Sequence, residues 1–153
     1  MSDESPWLSP AELAVWLKFS HLLVRVPQEL DAQLRRDAGL NWYEYLALAG
    51  LSESPGRTAR MSDLAVLTNG SLSRLSHVVK RLEDHGWVTR APSPDDGRYT
   101  NASLTDAGWE KIQEAAPEHV ATVRRFFVDP LTSDQLADLD HCCEAMQKAL
   151  DGP

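Results

Sequence analysis

The chain is short of the features that mark several protein classes. It has only two cysteines, Cys142 and Cys143, adjacent in sequence. Neighbours in a helix point about 100° apart, so a bridge between them is badly strained, and a disulfide framework is excluded. No run approaches the roughly 18 consecutive apolar residues of a membrane span. The opening MSDESPWLSP has neither a basic stretch nor an apolar core, which predicts a soluble, cytoplasmic protein without membrane attachment. There is no glycine-rich phosphate loop, no G-x-S-x-G turn and no H-E-x-x-H, and the five histidines are scattered, so no enzyme class and no cofactor is indicated. Zinc usually takes four ligands at defined spacings; His141-Cys142-Cys143-Glu144 has no second pair to complete a set, and no metal is expected.

Positive charge is also scarce. The net charge is −8, which as a total argues against a polyanion as partner. Its distribution tells otherwise. Between positions 57 and 98 seven basic residues face five acidic ones, leaving eight basic against eighteen acidic elsewhere. A mildly basic middle between acidic flanks suits a protein that turns one face to a polyanion.

What is present is 153 residues, 42% of them apolar, enough for the core of one domain. Ser9-Pro10-Ala11-Glu12 is a capping box, and Leu13, Trp16, Leu17, Leu23, Val24, Leu30 and Leu34 continue it as a helical stripe to Ala38-Gly39, with a kink expected at Pro27. Asn41 to Glu44 repeats the box and opens a second helix that stops before Ser54-Pro-Gly-Arg57. Two short amphipathic segments follow, 61–67 and 71–85, separated by Asn69-Gly70: a helix-turn-helix outline. Ser71 caps the second, whose expected buried stripe is Leu72, Leu75, Val78, Val79 and Leu82. Its other face carries Ser73, Arg74, Ser76, His77 and Lys80. Small hydroxyls that permit close approach beside long cationic reach fit an acidic surface, although a plain solvated face has the same composition. Strand patterns at 87–91 and 99–104, joined by Pro92-Ser-Pro-Asp-Asp-Gly-Arg98, predict one two-stranded hairpin. Thr105 then caps a helix bent at Pro117, and Thr132-Ser-Asp-Gln135 opens a last one with Leu136, Leu139, Cys143, Met146 and Leu150 on one side.

This order, carried by Leu64-Ala65, Ser73 to Glu83 ending in Arg-Leu-Glu, Gly86-Trp-Val-Thr-Arg90, Asp96-Gly-Arg98 and Leu104-Thr-Asp-Ala-Gly108, resembles the MarR family of bacterial transcription regulators. The resemblance implies a mainly α fold with a β-hairpin wing: a single domain over 1–153, with dimerisation helices at 9–38 and 105–150 and a winged helix-turn-helix lobe at 41–104. It implies a homodimer that binds a pseudo-palindromic operator in double-stranded DNA, acting as a repressor. Contacts would come from Ser71, Ser73, Arg74, Ser76, His77, Lys80, Arg81 and Arg90, with Arg98 reaching the minor groove and Asp96 bracing the wing tip. Lys80 where the family commonly has aspartate, and Ala102 where it has a larger apolar residue, imply an unusual operator preference and a looser wing. Family members often respond to small anionic aromatic effectors. Candidates here are Trp16, His21, Arg25, Trp42, Tyr43 and Tyr45, with Arg25 or His21 facing a carboxylate, though aromatics at helical spacing also serve as core. Cys143 is expected to be a small buried hydrophobe and Cys142 half exposed. Two rival readings remain: a winged-helix module that binds protein, and a thiol sensor through Cys142 and Cys143.

Overall fold

The computed structural model describes residues 7–152. The chain folds as two compact units, 1–115 and 116–153.

The first unit begins with α1 (Pro10–Ala38), whose N-terminus is closed by the reciprocal Ser9–Glu12 box and whose C-terminus by Gly39 in the left-handed region (φ 66°). The helix continues through Pro27. α2 (Trp42–Glu53) opens on Asn41, whose side chain accepts from the Glu44 amide at 2.8 Å while the Glu44 carboxylate accepts from the Asn41 amide. A 3₁₀ turn over Pro55–Arg57 leads into β1 (Thr58–Arg60) and α3 (Met61–Leu67). Ser71 caps α4 (Leu72–Asp84), accepting from the Arg74 amide at 3.1 Å. Gly86 (φ 76°) then turns the chain into β2 (Val88–Pro92) and β3 (Thr100–Leu104).

The sheet has three strands, not the two expected, in the order β1-β3-β2, with β3 antiparallel to both neighbours. β1 is only three residues long and directly follows the Pro55–Arg57 turn, so it has no alternation to read. Its Thr58 hydroxyl meets that of Ser103 at 2.8 Å across the strands. Ala102, fully buried at the centre of the sheet, pairs with Ala59 on one side and Arg90 on the other. The wing base is therefore held from both edges.

Leu34, Leu40, Leu48, Leu51, Leu64, Leu75, Val79, Leu82 and Val88 form the fully buried centre of this unit. Burying each contributes about 1.5–3 kcal/mol. Leu72 does not join them: it is 53% exposed, because as the first residue of α4 it sits at the wing-side margin of the helix rather than under it. The Leu104-Thr-x-x-Gly segment has a clear mechanical basis. The Thr105 amide donates to the Trp87 carbonyl at 3.0 Å and its hydroxyl to the Gly86 carbonyl at 2.7 Å, while that hydroxyl accepts from the Gly108 amide at 3.0 Å. A Cβ on Gly108 would overlap the Trp87 carbonyl. α5 (Asp106–Val123) thus starts flush against the turn before β2.

In the second unit α5 runs on through Pro117 into a π-helical segment, Arg124–Val128, and Thr132 with Gln135 boxes the start of α6 (Ser133–Asp151). No described residue of α6 is buried. Both Cys142 and Cys143 are exposed, against the expectation for Cys143, because no described residue covers the α6 stripe. Val120, Phe127, Met146 and Leu150 are exposed likewise, as are Leu13, Trp16, Leu17, Leu23 and Val24 in the first half of α1. No helix among the described residues is long and apolar enough to cross a membrane.

Candidate nucleic-acid interface

Successive residues of α4 turn by about 100°, which sorts its side chains into arcs. Leu75, Val78, Val79 and Leu82 point into the core. Opposite them lie Ser73, His77, Lys80 and Asp84, all exposed, with Lys80 Nζ 3.3 Å from the Asp84 carboxylate. On the flank toward α2 stand the two arginines of the helix. The guanidinium carbon of Arg74 lies 4.2 Å from the centre of the Tyr43 ring, and Arg81 pairs with Glu44, whose side chain is almost fully covered. On the flank toward the wing, the half-buried Ser76 accepts from Arg90 at 3.3 Å, and Arg90 also grips the Glu83 carboxylate at 2.7 and 2.9 Å. Arg90 is therefore a strut between β2 and α4 and presents little free charge.

At the wing tip Arg98 lies bidentate on Asp96, with Nη2 at 2.7 Å and Nε at 3.0–3.1 Å, while its backbone N–H donates to the same carboxylate at 3.1 Å. The Arg98 side-chain hydrogen bond, then that of its backbone, holds the Asp96 carboxyl below its ordinary range; the guanidinium is held correspondingly above its own. The Arg98 side chain remains 83% exposed. The carboxylate engages two nitrogens of the fork and leaves the third without a partner among the described residues.

Ser71, Ser73, Arg74, His77 and Lys80 are thus exposed at the start of α4 and along it, and Arg98 shares a groove with Leu72 and Ser76 at the start of that helix, whereas Arg81 and Arg90 are tied to the carboxylates of Glu44 and Glu83. Reading the sequence missed two residues of this surface. Arg60 lies with its guanidinium carbon 4.6 Å from the centre of the Tyr99 ring. Arg60 ends a strand too short to recognise, and Tyr99, expected to open the second wing strand, lies instead in the wing loop just before it.

Behind the Arg74 flank is an open groove of about 820 Å³, lined among others by Asp31, Arg35, Trp42, Tyr43, Arg74, His77 and Arg81. Of the six expected ligand residues it contains Trp42 and Tyr43. Tyr45, on the opposite side of α2, is buried in the core, which raises its phenol pKa. Trp16, His21 and Arg25 lie exposed along α1 outside the groove, and Arg25 approaches Glu29 at 4.0 Å. The cations that face this space are those of Arg35, Arg74 and Arg81. Among the described residues no cluster of histidine, cysteine and carboxylate side chains could hold a metal ion.

A solved structure of Sco3205, a MarR family transcriptional regulator from Streptomyces coelicolor in complex with DNA, is 40% identical to this chain; the match covers 99% of this chain and 94% of that one, with a TM-score of 0.93. The chain belongs to the MarR family. AbsC, a MarR-family regulator also from Streptomyces coelicolor, agrees at 37% identity, covering 97% and 100% of the two chains with a TM-score of 0.92. The MarR family model matches residues 38–98, which hold α2 through the wing tip. The transcriptional repressor MprA of Escherichia coli K12 is 28% identical over 79 residues, 52% of this chain but only 45% of MprA, so the match spans about half the length of that relative. The MarR architecture identifies α3–α4 as the helix-turn-helix and the β2–β3 loop as the wing.

Proposed function

We propose that the chain is a homodimeric repressor of transcription that binds duplex DNA. α4 enters the major groove with Ser73, Arg74 and His77 toward the bases and Lys80 toward phosphate, while Arg98 reaches the adjacent minor groove. The observation that carries this reading is the groove in which the exposed Arg98 of the wing meets Leu72 and Ser76 of α4, in the segment of the chain whose net charge is positive. A relative of 40% identity across nearly the whole chain was solved bound to DNA, which supports it. The repressor assignment rests on the name of MprA.

Dimerisation accounts for the uncovered apolar residues of α1, α5 and α6, which a lone chain would leave in water. Two-fold symmetry then calls for a pseudo-palindromic site with half-sites about one helical turn apart. The groove beside Tyr43 would admit a small anionic aromatic effector: Trp42 offers a ring, and Arg74, seated on Tyr43, is the lining arginine not paired with a carboxylate, since Arg35 pairs with Asp31 and Arg81 with Glu44.

Gel-shift titration across a chloride series tests the DNA reading. Affinity should fall steeply and linearly on a log–log plot as phosphates are neutralised by fixed cations. Absence of binding to any duplex at low salt would favour a winged-helix module that engages protein instead. The effector reading is tested separately by tryptophan fluorescence titration with a panel of phenolic acids, where a flat response counts against the groove.

A further inference from the structure

We propose that Arg60, seated on the ring of Tyr99, binds a backbone phosphate of the DNA, and that Tyr99 is its positioning residue. This rests on the DNA-binding reading above. Arg60 ends β1 and occupies the cap position of α3 in extended conformation (φ −65°, ψ 144°), where its guanidinium, a donor only, cannot cap the helix. The side chain instead crosses to the wing and lies on Tyr99. The backbone that carries this ring is held on both sides: the Tyr99 amide donates to the Asp96 carbonyl at 3.0 Å, and its carbonyl accepts from the Ser93 amide at 2.8 Å.

Arg60 and Tyr99 line a groove of about 280 Å³ between the start of α4 and the wing, together with Ser62, Ser76, Arg90 and Arg98. Three guanidinium groups and several hydroxyls face it, and no carboxylate residue is in its lining. Arg90 and Arg98 are each matched to a carboxylate, on Glu83 and Asp96. Among the described residues Arg60 forms no ion pair, although its charge is felt weakly at Asp96, which Arg98 already holds. An aromatic face holds a guanidinium through its quadrupole without cancelling the charge, so a tyrosine seat orients the fork and leaves its cation for an incoming anion. Arg74 on Tyr43 repeats the arrangement on the other flank of α4. A groove rich in donors, without a carboxylate in its lining and contiguous with the α4 N-terminus and the wing, suits a phosphate group.

The test uses the full chain and a duplex selected by the wild type from a randomised pool, with anisotropy titrations over a chloride series. Arg60→Ala should weaken binding to the selected and a scrambled duplex alike, by about five- to tenfold, and reduce the log–log salt slope by about 0.9. Tyr99→Leu should cost about threefold alone and nothing further in the Arg60→Ala background, while Tyr99→Phe, which keeps the ring face, should behave as wild type. An unchanged salt slope in Arg60→Ala, or a Tyr99→Leu effect that adds in full to that of Arg60→Ala, would overturn the proposal. A wild type that binds no duplex would remove the DNA reading and this inference together, whereas a binding wild type with an additive cycle removes the inference alone.

Discussion

The guanidinium of Arg74 on α4 rests 4.2 Å from the centre of the Tyr43 ring on α2, so a residue of the helix proposed to enter the DNA groove is also part of the wall of the large groove. One guanidinium cannot serve a carboxylate in that groove and the DNA at the same time. An anionic aromatic that occupies the groove should therefore raise the Kd for DNA, and DNA should raise the Kd for that compound by the same factor, since binding linkage is reciprocal. Arg74→Ala should abolish the mutual effect. Paired titrations by anisotropy and tryptophan fluorescence measure both arms, and an undiminished mutual effect in Arg74→Ala would contradict a shared residue.

Tyr43 is held by the turn between α3 and α4. Its hydroxyl is 3.3 Å from the Thr68 hydroxyl, and a Cβ on Gly70 would overlap the Tyr43 side chain. Gly70→Ala should accordingly destabilise the fold by about 1–3 kcal/mol, the usual range for overpacking, and much of that loss should vanish in a Tyr43→Ala background. Denaturant unfolding of the two single variants and the double variant checks this. Full additivity would show that the two residues do not meet in solution.

His119 is buried on α5, and burial lowers its pKa below the ordinary value of 6.5. The unfolded chain then binds a proton at higher pH than the folded one. Stability from this group is present above the unfolded pKa and declines as pH falls toward the folded value. Thermal unfolding should therefore move to lower temperature between about pH 7.5 and pH 5.5. His119→Gln should flatten that dependence; an equally steep profile in the variant would assign it to other groups.

Cys142 and Cys143 are both exposed in the single chain, but only Cys143 continues the series Leu136, Leu139, Met146 and Leu150. If a second copy covers that stripe, Cys143 becomes shielded and Cys142 does not. In Cys142→Ser the remaining thiol should react with a disulfide reagent about tenfold or more slower than in Cys143→Ser, because modification then requires opening of the interface. Equal rates would place the dimer contact elsewhere.

Much of the fold was legible from local chemistry. The capping pairs Ser9–Glu12, Asn41–Glu44 and Thr132–Gln135 all form as their spacing demands, and the stripe Leu75, Val78, Val79 and Leu82 is buried. β1 was not legible, because three residues carry no period and its pairing with β3 spans more than forty positions. Leu72 and Cys143 share the phase of their stripes yet remain exposed, since phase fixes direction along a helix and not what lies opposite. The interface was legible in residue type, but the division of its arginines was not. Whether a guanidinium meets Glu44, Glu83, Asp96 or a tyrosine face depends on contacts that periodicity does not encode, and that choice separates structural struts from available charge.

The most direct test of the account is sedimentation equilibrium of the full chain with a selected duplex, repeated over a chloride series. The account requires two chains per duplex, with an association constant that falls steeply as salt rises. A complex of one chain per duplex, or an association indifferent to salt, would contradict it.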